Sequence, residues 1–306
     1  LNAETFSDYF GGVPTVEIPG RAHPVTEYRL EDVLEFTEYV LPNGHDCVNK
    51  NPTDDLSVVK KRFPKSSDRV VKNLQKMDEN IINYDLIALT LEYINDNMED
   101  GAILVFLPGL MEITKTVEAI GKIQSLADKE RVKVYPLHST LSTAEQVAIF
   151  EIPPEGVRKI VISTNIAETS ITIEDVVYVV DAGKVKENRE DEVNQMMTLV
   201  ECWVAKSIAK QRRGRAGRVR PGIAFHMFSS HTHDSVIDDY QLPEMLRVRL
   251  DDLVLQILLL DLGDPEDFLK KAVNPPSTVS IMNGLNMLQG LSAVEREMVE
   301  GMKGAG

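Results

Sequence analysis

The chain has 306 residues, with 33 Lys or Arg against 48 Asp or Glu and a net charge of −15 at pH 7. That length suits about two domains, each with its own core, and the acidic balance argues against a chain that coats nucleic acid through general positive charge. No run of about 18 apolar residues is present to span a bilayer, no signal peptide is legible, and two distant cysteines, Cys47 and Cys202, fit a reducing intracellular compartment rather than a disulfide framework.

Leu1 to Phe10 reads as a short helix stopped by Gly11-Gly12, and Thr15 to Ile18 alternates like a strand. Tyr28-Arg29-Leu30 reads as extended and is followed by a helix to about Val40. Pro42 to Asp78 is polar and broken by Pro52 and Pro64, so it reads as a loop or variable insertion. Ile81 to Asn97 carries helical spacing at Ile82, Leu86, Leu89 and Tyr93.

Four apolar runs then alternate with helices. They are Ile103 to Leu107, Lys133 to Leu137, Lys159 to Ser163 and Asp175 to Asp181. The helices between them cover about 110–126 and a segment capped by Ser142 that ends at Phe150. Buried strands separated by helices predict an α/β fold with a parallel sheet. Ligands of such sheets bind at the C-terminal strand ends, where Pro108-Gly109, His138-Ser139-Thr140 and Ser163-Thr164-Asn165 fall. Lys184 to Leu199 reads as a hairpin, Val200 to Arg212 as a helix and Gly222 to Phe228 as a last strand. His231-Thr232-His233-Asp234 has no flanking ligands at metal-site spacing and reads as a polar loop. From Pro243 the pattern turns helical, through Leu246, Leu250, Leu253 and Ile257, with further helices at 267–272 and 277–291.

The positive charge concentrates in Lys206, Lys210, Arg212, Arg213, Arg215, Arg218 and Arg220. A local cationic site on an acidic body suits a small anionic ligand such as a nucleotide. Within it, Gln211-Arg212-Arg213-Gly214-Arg215-Ala216-Gly217-Arg218 alternates planar guanidinium forks with glycines that permit close backbone approach. If the preceding helix continues, the i,i+3 steps from Arg212 to Arg215 and Arg218 place these side chains on one face. Ser163 to Ile173, Ser-Thr-Asn-Ile-Ala-Glu-Thr-Ser-Ile-Thr-Ile, offers hydroxyls, an amide and backbone N–H groups of the kind that contact phosphodiesters without reading bases.

In this order, Ile103 to Ile113, Ser163 to Ile173 and Gln211 to Arg218 resemble motifs IV, V and VI of the DEAH-box (DExH) ATP-dependent RNA helicases of superfamily 2. The resemblance covers most of the chain. It implies a RecA-like parallel sheet with flanking helices, followed by a small mainly helical, winged-helix-like domain. Residues 1–27 would end the crossing from a first motor domain, 28–235 would form the second motor domain with the polar insertion at 42–78, and 236–306 would begin the winged-helix region. The start at Leu1, without Met, fits a piece of a longer protein.

The resemblance also implies roles. Gln211 would position the attacking water, and Arg215 and Arg218 would be arginine fingers. Arg212 would contact nucleotide or serve as an ion-pair partner within the fold. Phe150 would stack on adenine or be a plain core residue. The family often has Asp after Thr-Ile to hold the ribose; here Glu174 stands there with Asp175 next, and either is a candidate. Pro108, Gly109, Ser139, Thr140, Thr164, Asn165 and Thr169 would lie along single-stranded RNA, contacting or coupled to its backbone. The chain holds no Gly-x-x-x-x-Gly-Lys-Ser/Thr and no Asp-Glu-Ala-His. ATP and Mg²⁺ are therefore expected to need the first motor domain of the same protein, with this chain alone inactive. The implied location is the nucleus or cytoplasm, with no membrane partner. Two rival readings stay open. One is a self-sufficient ATPase using Gly109 to Thr116, where Thr114 replaces the second glycine of a phosphate loop; the other is a non-catalytic docking module.

Overall fold

The computed structural model describes residues 3–16, 18, 23–52, 54–138, 147, 149–169, 171, 173–191 and 196–294. Its helices are α1 Ala3–Tyr9, α2 Leu30–Phe36, α3 Leu56–Arg62, α4 Asp68–Lys76, α5 Tyr84–Asn97, α6 Leu110–Gly121, α7 Gln124–Ala127, α8 Ile166–Thr169, α9 Lys206–Arg213, α10 Ser230–Ser235, α11 Asp251–Leu259, α12 Pro265–Leu269 and α13 Thr278–Gly290. Its strands are β1 Val25–Tyr28, β2 Ala102–Phe106, β3 Val132–Leu137, β4 Arg158–Ser163, β5 Val176–Asp181, β6 Lys184–Asp191, β7 Met196–Trp203 and β8 Gly222–His226.

Six strands form one parallel sheet in the order β1-β8-β5-β2-β4-β3. The central strands are apolar on both faces because both faces are covered. Ile103, Val105, Ile160, Ile162, Tyr178 and Val180 point into one core with α2 to α7. Leu104, Phe106, Val161 and Val179 point into the other, with Ile149, Ala167, Ile173 and Ala216. The period of two along each strand sorts these residues. β3 is an edge strand. Since the carbonyl of Arg131 accepts from Arg158 N of β4 and that of Leu137 from Thr164 N just after it, the even-numbered backbone groups face outward, and Pro136 removes one of the open N–H groups.

The contacts divide the chain into two compact units. The larger comprises Pro19–Val185 and Glu201–Asp239; the smaller gathers Leu1–Ile18, Lys186–Val200 and Tyr240–Gly306. The smaller unit has its own core of Leu250, Val254, Ile257, Leu269, Ile281, Leu285 and Leu288. Gly284 there lets α13 approach the backbone of Leu250 and Asp251, where a Cβ would sit 3.1–3.2 Å from their atoms. No helix among the described residues is long and apolar enough to cross a membrane.

The structure corrects the sequence reading in several segments, among them the helix read through Leu246 and Leu250, which starts only at Asp251. The polar stretch 42–78 contains α3 and α4, and Val59, Phe63, Val70, Val71, Leu74 and Met77 join the main core. Asn73 stitches it in, accepting from Leu41 N at 2.8 Å and donating to Tyr39 O at 2.7 Å. The strand read in 15–18 is not formed by its described residues. The helix read from Val200 starts only at Lys206, because β7 runs to Trp203 in a two-stranded sheet with β6. His231 to Asp234 lie within α10 rather than in a loop.

Candidate nucleotide and nucleic-acid site

The chain after β4 and the arginine helix lie on the second face of the sheet. β4 ends at Ser163, beside Phe106 of β2 and Leu137 of β3 in the ladder. Pro108, Gly109, Thr164 and Asn165 therefore leave the sheet together at its C-terminal edge. Asn165 is exposed, and Thr164, Pro108 and Gly109 are half-buried. Gly109 caps α6 with extended backbone. Ser139 and Thr140, and the side chain of Thr169, lie outside the described residues.

Segment 164–175 then descends across the face to Glu174 and Asp175, at the opposite edge where β5 begins. Helix α9 descends beside it, packing against α8 and β5. The turn after α9 reaches the N-terminal ends of β1 and β8. Gly217 O accepts from His23 N at 2.8 Å, and a Cβ on Gly217 would lie 2.5 Å from His23 O, so only glycine fits without a shift. Glu174 and Arg218 thus lie toward the edge opposite Thr164 and Asn165, whereas Arg212 stays at the C-terminal strand ends, against Phe106 and Asp181. Of the candidates, Thr164 and Asn165 follow the C-terminal end of β4, while Glu174 precedes the N-terminal end of β5.

The arginines are divided by burial. Arg212 has no exposed surface. It donates through Nε to Glu168 Oε1 at 2.7 Å and through Nη1 to Asp181 Oδ1 at 2.7 Å and Lys184 O at 3.2 Å, and its guanidinium lies 5.0 Å from the centre of the Phe106 ring. Of the two roles open for Arg212, the ion-pair partner is the one built here, and its guanidinium has no surface to offer a nucleotide. Burial alone would raise the Asp181 carboxyl, but the Arg212 charge and a contact from His226 hold it well below the usual carboxylate range. Burial wins at Glu168, whose carboxyl is pushed up against the opposing pull of Arg212.

Arg215 is only 6% exposed; Nη1 donates to Ile171 O at 2.8 Å and Nη2 donates to Glu168 O. Burial, and then the nearby Arg218 charge, lower its affinity for its proton. Gln211 and Arg218 are exposed. The helix stops at Arg213, so Arg212, Arg215 and Arg218 do not share one helical face. The first two turn inward and the third outward.

At the other edge, Asp175 Oδ1 pairs with Lys159 Nζ at 2.7 Å, and Lys159 is buried and also donates to Ile149 O and Glu151 O. Glu174 is exposed. Asp175 is committed to the fold and Glu174 faces outward. Both line a cavity of about 320 Å³ with Ile152, Pro153, Val219 and Arg220. Phe150, 47% exposed, is not a buried core residue. Among the described residues no cluster of three His, Cys, Asp or Glu could hold a metal ion.

The phosphate-loop rival meets a helix. Residues from Leu110 onward are α6; Thr114 Oγ1 donates to Leu110 O, Thr116 is buried, and Lys115 Nζ lies 5.4 Å from the centre of the Tyr84 ring. From Ile113 on, the N–H groups enter the helix's own ladder, so Ile113 to Thr116 cannot close a phosphate cradle. Sequence reasoning missed Glu168, Asp181 and Lys159 as anchors. A signal existed in two of them: Asp181 closes, and Lys159 opens, an otherwise apolar buried run.

Residues 85–220 match the model of the helicase conserved C-terminal domain. The ATP-dependent DNA/RNA helicase DHX36 of Mus musculus is 43% identical over 319 aligned residues, which cover 97% of this chain and 32% of that protein. The ATP-dependent RNA helicase DHX29 of Homo sapiens is 40% identical, with 96% of this chain and 24% of that protein covered. The solved structure of the E. coli DExH-box NTPase HrpB superposes with a TM-score of 0.70 at 26% identity, over 97% of this chain and 30% of that one. The chain thus spans about a third or less of the length of these relatives. A six-stranded RecA-like sheet, the arginine-motif helix seated on it and similarity along nearly the whole chain lead to one conclusion: the chain carries a helicase conserved C-terminal domain and is similar along nearly its whole length to DExH-box helicases.

Proposed function

We propose that this chain is the C-terminal motor half of an ATP-dependent RNA helicase, with 28–235 as the second motor domain and 236–306 as the start of a winged-helix region. Bound between this half and a first motor domain that holds Mg²⁺, ATP undergoes transfer of its γ-phosphoryl group to water. Arg218 and Arg215 bear on the phosphate charge, and Gln211 orients the water. Glu174 faces the ribose beside the 320 Å³ cavity, and Phe150 offers a stacking face. Pro108, Gly109, Thr164 and Asn165 line the path of the single-stranded RNA backbone, with little sequence discrimination. The protein works in the nucleus or cytoplasm.

One observation carries the reading. Glu168, four residues and about one helical turn after Thr164 on the RNA edge, receives both Arg212 on its carboxylate and Arg215 on its carbonyl. A shift in the 164–169 segment on RNA binding is thereby transmitted to the arginines that reach the nucleotide edge. Because Arg215 is docked inward and Arg218 outward, Arg218 is the finger already presented, and Arg215 must leave the Glu168 and Ile171 carbonyls to act.

The test is RNA-stimulated ATP hydrolysis at fixed salt. It compares this chain alone, the longer protein that carries it with a first motor domain, and that protein with Arg218→Ala or Arg215→Ala. Turnover only by the longer protein, reduced in Arg218→Ala by roughly the 10³–10⁵-fold that arginine fingers supply, is the expected result. Turnover by this chain alone would reopen the self-sufficient ATPase. Variants with unchanged turnover would favour a docking module.

A further inference from the structure

The arginine helix is held from a second side. Arg213, next to the buried Arg212, donates through Nη1 to Glu27 Oε1 on β1. Glu27 Oε2 lies 3.2 Å from Nε2 of His226 on β8. His226 is 1% exposed and sits opposite Asp181 in the ladder, with Nδ1 3.6 Å from Asp181 Oδ2, an electrostatic contact longer than a hydrogen bond. Asp181 in turn holds Arg212. Acidic and basic side chains therefore alternate along one line, Glu168, Arg212, Asp181, His226, Glu27, Arg213, and from Arg212 the line leaves α9 and returns to it through β5, β8 and β1.

The chemistry of the line is directional. An ionised carboxylate only accepts hydrogen bonds, so Nε2 of His226 must donate to Glu27. Glu27 is thereby oriented with its other oxygen toward Arg213. Arg29, whose Nη2 is 3.4 Å from Oε2 of Glu27, is the remaining charge on that carboxylate. Neither Glu27 nor His226 reaches the exposed Gln211 or Arg218, so they act through α9.

We propose that Glu27 and His226 are positioning residues for nucleotide hydrolysis: they fix the rotation of α9 through Arg213, and so the placement of Gln211 and the fingers that follow it. The proposal rests on the helicase reading above. It differs from a purely structural role in what should change. A loosened α9 misplaces transition-state groups while leaving the Glu174 edge intact, so kcat falls while KM for ATP holds.

The experiment measures RNA-stimulated hydrolysis by the longer protein carrying Glu27→Gln, His226→Phe, His226→Gln, Arg213→Gln or the double change Glu27→Gln with Arg213→Gln, each beside wild type and Arg218→Ala. Glu27→Gln is isosteric at a part-exposed site and serves where His226→Phe does not fold. The expected result is a kcat lowered by up to about 10²-fold, the scale of a misplacement near 1 Å, with KM for ATP held. His226→Gln, which keeps a donor toward Glu27, recovers part of the loss, and the double change is no worse than the poorer single one. Unchanged kcat in Glu27→Gln while Arg218→Ala loses activity overturns the proposal alone, as does a double variant in which the two losses simply add. A wild type without RNA-stimulated hydrolysis overturns the helicase reading and the proposal together.

Discussion

Arg212 is the side chain on which the local argument turns. It is fully buried, with Glu168 and Asp181 both on its guanidinium. Removing one partner from such a cluster leaves an unpaired buried charge, which costs about 3–5 kcal/mol. Arg212→Ala is therefore expected to lower the denaturation midpoint sharply, whereas Arg218→Ala, at an exposed position, should leave it within about 0.5 kcal/mol. Equal losses in urea unfolding would refute the inward and outward division. Glu27 adds a pH dependence. The His226 hydrogen bond leads, burial opposes, and Arg213 assists, bringing its carboxyl down from 4.5 to about 2. A carboxyl depressed by folding adds stability that is present above its unfolded value and lost as pH falls through the folded one. Unfolding midpoints should then fall between about pH 4.5 and pH 2 in wild type, and less steeply in Glu27→Gln. The residue types of this site were readable in the chain. Their orientations were not: the i,i+3 spacing of Arg212, Arg215 and Arg218 has meaning only while the helix lasts, and α9 ends at Arg213.

At the scale of elements, the buried strands were legible because continuous apolar runs between helices leave few alternatives. β2, β4 and β5 fall within one residue of where the runs place them at either end. The 42–78 segment was not legible. Its helices are seven and nine residues long, too short for a helical period to stand out among prolines and charges, and their apolar positions gain meaning only from the core they meet. Phe63 is the sharpest check. It is 7% exposed within the main core, and truncating a buried Phe costs about 3–5 kcal/mol. Phe63→Ala is expected to destabilise the larger unit on that scale in chemical unfolding. A loss below about 1 kcal/mol would return the segment to the status of a peripheral insertion.

At the scale of the molecule, the proposed reading puts two separate edges to use on a body of net charge −15. The nucleic-acid edge offers Thr164, Asn165 and the backbone of Pro108-Gly109, groups that bond to phosphates without bringing a positive charge. Arg218 and Arg220 follow the turn toward the other edge, where Arg220 lines the cavity with Glu174 and would meet a nucleotide on the proposed reading. Binding of single-stranded RNA should therefore release few counterions. Each phosphate neutralised contributes about −0.7 to the slope of log K against log salt for single strands. With no cationic side chain among these contacts, this half should add little to the slope measured for the longer protein. The comparison that isolates it is fluorescence-anisotropy titration of a short oligonucleotide across salt, with and without Asn165→Ala in the longer protein. The expected outcome is weaker binding at every salt concentration and an unchanged slope, because an amide contact is lost and no ion is. A slope that flattens on Asn165→Ala would mean that the residue organises a cationic contact. The acidic body would then hide a basic track that the two-edge arrangement does not contain.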